Sequence, residues 1–240
     1  RSKNVLVVAL KMPPIFNQIV YFHCDEPLEG ALQMAIDEML LAESDPNQVV
    51  LRDYTWSEET NSIGYFGFSR EVPSDEADAK PLVRRPTGGG LVAHGHGQDF
   101  TYSILIGAAQ ARQLQLSPPA SYRAIHGILA QTLGACGIEA TLASDGELGQ
   151  TGGACFVNPV GDDLMSEGHK LAGAGQKRSR GTILHQGSVQ PVELPNTFGL
   201  AFAEQLAEHA QVEELSSGML AKAEALAEKK YRQAVWTHRR

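Results

Sequence analysis

Four short segments of this sequence hold side chains that could do chemistry. The first is Arg84-Arg85-Pro86-Thr87-Gly88-Gly89-Gly90, which runs into Leu91-Val92-Ala93-His94. Consecutive glycines let a backbone approach a ligand closely and turn its N–H groups toward an anion or a carbonyl. Two arginines just ahead add positive charge. The plainer reading is a flexible hairpin turn. The second segment is Gly168-His169-Lys170-Leu171-Ala172-Gly173-Ala174-Gly175-Gln176. A lysine among such small residues can reach an anionic or carbonyl oxygen in a narrow pocket, although an isolated turn lysine is more often simply solvated. The third is His185-Gln186-Gly187-Ser188, set inside an apolar strand. Its polar groups must find partners or line a cavity, and a satisfied core histidine is the bland alternative. The fourth is Cys155, after a glycine-rich stretch. A cysteine is a nucleophile only when a cation or similar group stabilises its thiolate; otherwise it is a small buried residue, as expected for Cys24 and Cys136.

Other chemistries find less support. The three cysteines are far apart with no Cys-x-x-Cys pair, so neither structural zinc nor a disulfide framework is expected. His94-Gly95-His96 has no third metal ligand at a sensible spacing, and no metal site is expected. There is no Gly-x-Ser-x-Gly elbow and no phosphate-binding Gly-x-x-x-x-Gly-Lys loop. With 20 basic and 28 acidic residues the net charge is −8, which argues against a nucleic-acid partner. A local basic patch could still meet an acidic protein, with Arg84, Arg85, Lys177, Arg178 and Arg180 as its candidates. The apolar run Val5 to Leu10 is too short to span a membrane and reads as a strand. A reduced, cytoplasmic setting without membrane attachment is expected.

The elements that must position these residues follow from periodicity. Strands are expected at Ile15 to Phe22, Val49 to Tyr54, Ser62 to Phe66, Leu82 to Arg85, Leu91 to Ala93 and Phe100 to Ile106. Further strands are expected at Ile138 to Leu142, Ala154 to Val157, Asp163 to Ser166, Lys170 to Ala174 and Gly181 to Val189. Glu167-Gly168 signals a hairpin turn. Helices are expected at Gly30 to Glu43, Ser121 to Cys136 with Ser121 as its cap, Thr197 to Ala210 and Ser217 to Arg232. Ser144 to Gly153, with four glycines, reads as a loop. No repeat or domain boundary is visible, so residues 1–240 are expected to form a single α+β domain, mixed sheets flanked by helices.

Taken in order, the four segments resemble the lipoate- and biotin-protein ligase superfamily, and within it the lipoate ligase and octanoyltransferase branch. Arg84 to Gly90 with His94 is similar to the family's Arg-Arg-x-Thr/Ser-Gly-Gly-Gly/Arg-x-Val-x-His signature, and Phe100-Thr101-Tyr102-Ser103 to the strand after it. Lys170 to Gln176 resembles Lys-x-x-Gly-x-Ala-Gln, with Gly175 where alanine is usual, and His185 to Ser188 the closing His-x-Gly-Ser strand. The helix with Ala35, Asp37, Glu38 and Leu40 resembles the entry helix, and Leu51-Arg52 through Trp56 and Ser62-Ile63-Gly64 the strands beyond it. The likeness spans about Val20 to Val189, and the last helix with Tyr231 and Trp236 also fits.

This resemblance implies the catalytic fold of that superfamily and an enzyme that acylates a lysine. The acceptor would be a lipoyl domain of a 2-oxoacid dehydrogenase or the glycine-cleavage H protein. Cys155 and Lys170 would be catalytic. Arg84, Arg85, Thr87, Gly88, Gly89, Gly90, His94, Tyr102, Gly173, Ala174, Gln176, His185, Gly187 and Ser188 would bind substrate. Ala154-Cys155-Phe156 is similar to the acyl-accepting site of the octanoyltransferases, which take octanoate from acyl carrier protein and need no cofactor. The alternative is an ATP- and magnesium-dependent lipoate ligase; Gly90, where transferases often carry arginine, and Asn158 with Asp162-Asp163, which resemble a degraded ligase Asn-Asp-Leu pattern, point that way. A different class is a non-catalytic subunit that binds a lipoyl domain or lipoate. Biotin ligation ranks low, because that branch's arginine-glycine loop is missing.

Overall fold

A computed structural model describes residues 12–67, 80–95, 99–143 and 161–239. The expected strands Val5 to Leu10 and Ala154 to Val157, the loop Ser144 to Gly153, His96, Cys155 and Asn158 lie outside the described residues.

The chain alternates strands and helices. In order they are β1 (Phe16–Leu28), α1 (Gly30–Glu43), β2 (Val49–Trp56), β3 (Thr60–Ile63), β4 (Leu82–Arg84), β5 (Val92–His94) and β6 (Phe100–Ile106). Then come α2 (Ala108–Gln113), α3 (Pro118–Ala135), β7 (Thr141–Leu142), β8 (Leu164–Ser166), β9 (His169–Ser179) and β10 (Thr182–Val189). The chain closes with α4 (Phe198–Leu206), β11 (Ala207–Glu213), α5 (Ser217–Leu226), a π-helical turn Ala227–Tyr231 and α6 (Ala234–Thr237). Eight strands form one sheet in the order β11-β1-β2-β6-β10-β9-β8-β7, and β4-β3-β5 form a small second sheet. Both sheets are mixed: β1 is parallel to β2 and β11, while β2, β6, β10 and β9 run antiparallel in turn.

Strand alternation explains why the large sheet is covered on both sides. Leu51, Tyr102, Ile104 and Ile106 point into a core closed by α3 and α4, with Ile125, Leu129, Phe198 and Phe202. Val50, Tyr54, Trp56, Leu105 and Leu184 point to the other core, closed by α1 and α5, with Met34, Ile36, Leu40 and Ala223. Residues on opposite faces of one strand therefore serve different compartments, and the site is built on the α1 face.

Several expectations need correction. The stretch Thr197 to Ala210 is not one helix. It breaks at Ala207 into β11, which pairs in parallel with the edge of β1 from Phe16↔Ala207 to Phe22↔Glu213. Backbone bonds to an open sheet edge outweigh the helical propensity of its Ala, Glu and Gln residues. Helix α3 starts earlier than Ser121: Ser117 is the cap, accepting from Ala120 N–H, with Pro118 just inside the first turn. The short helix α2 was missed, since its one buried residue, Ala111, leaves almost no apolar stripe. The Glu167-Gly168 hairpin is present, with both residues at positive φ (50° and 78°).

Candidate active site

The glycine loop between β4 and β5 folds over the middle of the large sheet. Three small residues allow it. A Cβ at Gly64 would overlap the Gly89 carbonyl oxygen, and a Cβ at Gly175 would overlap that of Gly88. Gly89 itself sits at φ 99°, where an L side chain is strained. Beneath the loop is a narrow cleft. Met34, Tyr54, Trp56 and Val92 give it an apolar lining. Arg85, His94, Thr101, Gln186 and Ser188 bring polar groups, and Gly173, Ala174, Gly175 and Gly187 leave the β9–β10 floor nearly bare.

Lys170 stands at one wall. Between Leu164↔Ala172 and Met165↔Lys170 the β8–β9 register slips by one, so Leu171 is an extra residue. A bulge of this kind re-aims the flanking side chains. Lys170 lies across Gly173, where an added Cβ would stand 2.6 Å from Lys170 Cε and 3.1 Å from Asp163 Oδ1. Its Nζ is 2.7 Å from Asp163 Oδ2, with the two side chains only 1% and 3% exposed. This is a buried ion pair on a glycine that lines the cleft, not a solvated turn lysine.

The floor is anchored by a second buried pair. Arg52 Nη2 is 2.7 Å from Asp37 Oδ1, and both side chains are 0% exposed. Arg52 also donates to the Gln33 side-chain and backbone oxygens. Asp37 further accepts from Ser103 Oγ and Gln186 Nε2, each at 2.7 Å. Gln186 Oε1 in turn accepts from Thr87 Oγ1 at 2.7 Å. A chain of hydrogen bonds thus ties helix α1 through the sheet to the glycine loop.

His94 lies flat on Trp56, with ring centroids 4.2 Å apart and an 18° tilt. Arg85 Nη1 donates to Ser62 Oγ at 2.6 Å, and the same hydroxyl is hydrogen-bonded to His94 Nε2 at 2.7 Å. The other ring nitrogen, Nδ1, faces Asp99 at 3.4 Å. Burial would raise the Asp99 carboxyl, but the bond and charge of His94 outweigh it and hold it below the ordinary range. Ser62, His94 and Asp99 follow the order of a serine triad. However, Ser62 is fully buried and already accepts from Arg85, so it anchors the ring and is no nucleophile.

The residues named from sequence divide three ways. Arg85, Gly89, His94, Gly173, Ala174, Gly187 and Ser188 line the cleft, and Lys170 adjoins it. Thr87, Gly88 and Gly90 shape the loop: Thr87 holds Gln186, while the Gly88 and Gly90 carbonyls accept from Arg85 Nη2. The others point elsewhere. Arg84 is fully buried and donates to the carbonyls of Gly64, Tyr65, Gly67, Trp236, Thr237 and Arg239, which clamps the C-terminal turn. Tyr102, Gln176 and His185 form a network on the α3 face. With Arg84 and Arg85 inside the fold, the five basic residues do not make one surface patch. Among the described residues no cluster of three His, Cys, Asp or Glu side chains could hold a metal, and no helix is long and apolar enough to cross a membrane.

Sequence reasoning missed the buried pairs. Asp37 sits among apolar residues on the buried face of α1, and Arg52 on the face of β2 that it shares with Val50, Tyr54 and Trp56. Two opposite charges that both break apolar patterns were the available signal.

An apolar cleft roofed by a glycine loop, with a buried lysine beside it, is the candidate site of this α+β domain. The chain belongs to the family of the lipoyl protein ligase A/B catalytic domain, whose model matches residues 29–216. It is 35% identical to octanoyltransferase LipM of Brevibacillus brevis over 178 residues, which is 68% of this chain and 63% of that protein. The LipM of Carboxydothermus hydrogenoformans is 37% identical over 172 residues, 70% of this chain and 62% of the relative. The matched region thus spans less than two thirds of these relatives' length. The fold is shared with lipoate-protein ligase A bound with ATP (TM-score 0.71, 18% identity, 93% of this chain and 98% of that one). It is shared as well with the bi-partite lipoate protein ligase solved with its E2 lipoyl domain from Thermoplasma acidophilum (TM-score 0.70, 17% identity, 93% and 96%).

Proposed function

We propose that this protein transfers an octanoyl group from acyl carrier protein to a lysine of a lipoyl carrier domain, by way of a thioester on Cys155. The carrier would be the lipoyl domain of a 2-oxoacid dehydrogenase or the glycine-cleavage H protein. The observation that carries this reading is the Lys170–Asp163 pair, buried against the bare glycine floor of an apolar cleft. The octanoyltransferase names of the relatives support the choice of acyl group.

In this reading the acyl chain lies along Met34, Tyr54, Trp56 and Val92, where water is excluded. The Cys155 thiolate attacks the thioester carbonyl of the incoming acyl carrier. Lys170 donates to the developing oxyanion, the carrier thiolate leaves, and octanoyl-Cys155 remains. The deprotonated amine of the target lysine then attacks the same carbonyl. The new amide forms as the Cys155 thiolate departs, so the cysteine is regenerated and no ATP is consumed. Asp163 holds Lys170 in place before the substrate arrives.

ATP-dependent lipoate ligation is the second reading, favoured by Gly90, the residue ligases carry at that point of the loop. Supplying a lipoyl domain with octanoyl-acyl carrier protein in one reaction, and with lipoate, ATP and magnesium in the other, separates the two. Transfer is expected from the carrier alone, lost in Cys155→Ala. Lipoylation that demands ATP and survives Cys155→Ala would reverse the assignment.

A further inference from the structure

Histidine 126 has no place in the reaction just described, yet its setting is costly. It sits on the buried face of α3 among Ile125, Ile128, Leu129 and Leu133, and is itself 0% exposed. Burial lowers its basicity, so the ring is neutral. Its Nδ1 is bonded to the main-chain carbonyl of Asp162. A carbonyl can only accept, so the proton is on Nδ1. Nε2 is then a buried acceptor that makes no hydrogen bond among the described residues. A polar ring is kept in an apolar core, one nitrogen unsatisfied, for the sake of a single bond to a backbone oxygen.

That oxygen belongs to a special residue. Asp162 is at φ 69°, left-handed backbone for a non-glycine. It immediately precedes Asp163, the partner of Lys170. Helix α3 holds this point from one face. Three residues before His126, Arg123 Nε donates to the Asp162 carboxylate at 3.2 Å. Four before it, the Tyr122 hydroxyl lies 3.5 Å from the Ala174 carbonyl on β9. From the other side Ala143 N–H donates to Asp163 O at 2.7 Å. The segment entering β8 is thus pinned to α3 on one flank and to β7 on the other.

The ring's own orientation is set by neighbours. His126 meets His185 edge-on at 5.4 Å and Tyr122 at 5.9 Å. His185 is fixed in turn. Arg178 can only donate, and its Nε and Nη2 reach Gln176 Oε1 at 3.2 and 3.0 Å. The Gln176 amide nitrogen therefore faces His185 Nδ1, at 3.0 Å, and leaves the His185 proton on Nε2 toward Tyr102. The α3-face network thus holds the ring that holds Asp162.

We infer that His126 is a positioning residue for acyl transfer: through the Asp162 carbonyl it fixes Asp163, and through Asp163 it aims Lys170 at the cleft. This rests on the catalytic reading of Lys170 given above. A positioning error near 1 Å at a reacting group costs about 10²-fold in rate.

The test compares His126→Asn with His126→Gln in octanoyl transfer, beside Lys170→Ala. Asparagine puts its amide N–H close to the position of Nδ1, and glutamine puts it near Nε2, so both carry the same polar burden into the core. The inference predicts that His126→Asn keeps kcat within a few-fold of wild type. It predicts that His126→Gln loses kcat by about ten- to a hundredfold with KM nearly unchanged, since the cleft lining is intact. Melting temperatures of the two should be alike. Equal kcat in both, with Lys170→Ala inactive, would overturn the positioning role and leave the reading of Lys170 standing. A Lys170→Ala protein that transfers at the wild-type rate would remove the reading itself, and the inference with it. If neither variant folds, His126→Phe keeps the ring packing without the donor, and wild-type kcat there would likewise refute the role.

Discussion

Two buried ion pairs lie within the same fold, and they differ in what surrounds them. The Arg52–Asp37 pair is fully enclosed, and its guanidinium is spent on Asp37 and both oxygens of Gln33. The Lys170–Asp163 pair is as deeply buried, yet it rests on Gly173, a residue of the cleft wall. Burial alone therefore does not mark a reactive charge. Arginine, planar and forked, suits a static hub, whereas lysine is a compact, rotatable donor that can follow a developing oxyanion. The first pair fixes the floor of the site and the second lies at its edge.

The sharpest way to break this contrast is to remove one member of each pair. Arg52→Met should lower stability by about 3–5 kcal/mol, because Asp37 is left as an unpaired buried charge. Urea denaturation measures it, and a loss below 1 kcal/mol would mean that the hub is dispensable. Lys170→Ala should cut acyl transfer by about 10²–10³-fold, the scale of a lost oxyanion donor. The solvated turn lysine read from sequence would be removable at little cost to the fold. The observed pair predicts some loss of stability as well, because the Asp163 carboxylate loses its bond to Lys170. Lys170→Met combined with Asp163→Leu should restore the melting temperature without restoring activity. Recovery of both would make the pair structural, like its counterpart.

Gly173→Ala tests the same edge more gently. Its Cβ would stand 2.6 Å from Lys170 Cε. The flexible lysine end must shift, and kcat should fall roughly tenfold with little change in melting temperature. A pH series probes the α3 face. Burial holds His126 below its ordinary pKa and His185 well below it. Near pH 6.5 and lower, the unfolded chain takes up protons that the folded rings refuse. Stability should then decline as pH falls below about 6.5, by up to about 1.4 kcal/mol per pH unit for each ring. Replacing His185 with a neutral residue should flatten that slope, as followed by denaturation midpoints. The smallest effect is expected at Gly88, where an added Cβ meets nothing within 4 Å. Gly88→Ala should fold normally, while Gly175→Ala, whose Cβ would overlap the Gly88 carbonyl, should displace the loop.

Much of this was legible before any coordinates. The strands that carry Lys170, His185 and the glycine loop follow from alternation and turn chemistry, because their side chains face two different cores. Their facing was less legible. Tyr102, Gln176 and His185 belong to the same motifs as Ser188 and Gly173, but pleating sends them to the α3 side. Arg84 and Arg85 are neighbours in sequence, yet one clamps the C-terminal turn and the other braces the loop and lines the cleft. The direction of Lys170 depends on a one-residue bulge at Leu171 that composition does not signal. The end of α4 at Ala207 was hidden because only the open edge of β1 makes β11 a strand. Asp163 could be suspected only as part of a motif, since its partner is fixed by a hairpin and not by spacing.

The central claim is that acyl transfer runs through a Cys155 thioester with Lys170 as the oxyanion donor, and intact mass spectrometry addresses it directly. The protein is mixed with octanoyl-acyl carrier protein in the absence of ATP and of any acceptor domain. The account predicts one octanoyl adduct on the wild-type chain, none on Cys155→Ala, and discharge of the adduct when a lipoyl domain is added. An unmodified wild-type chain that still octanoylates the lipoyl domain would contradict it.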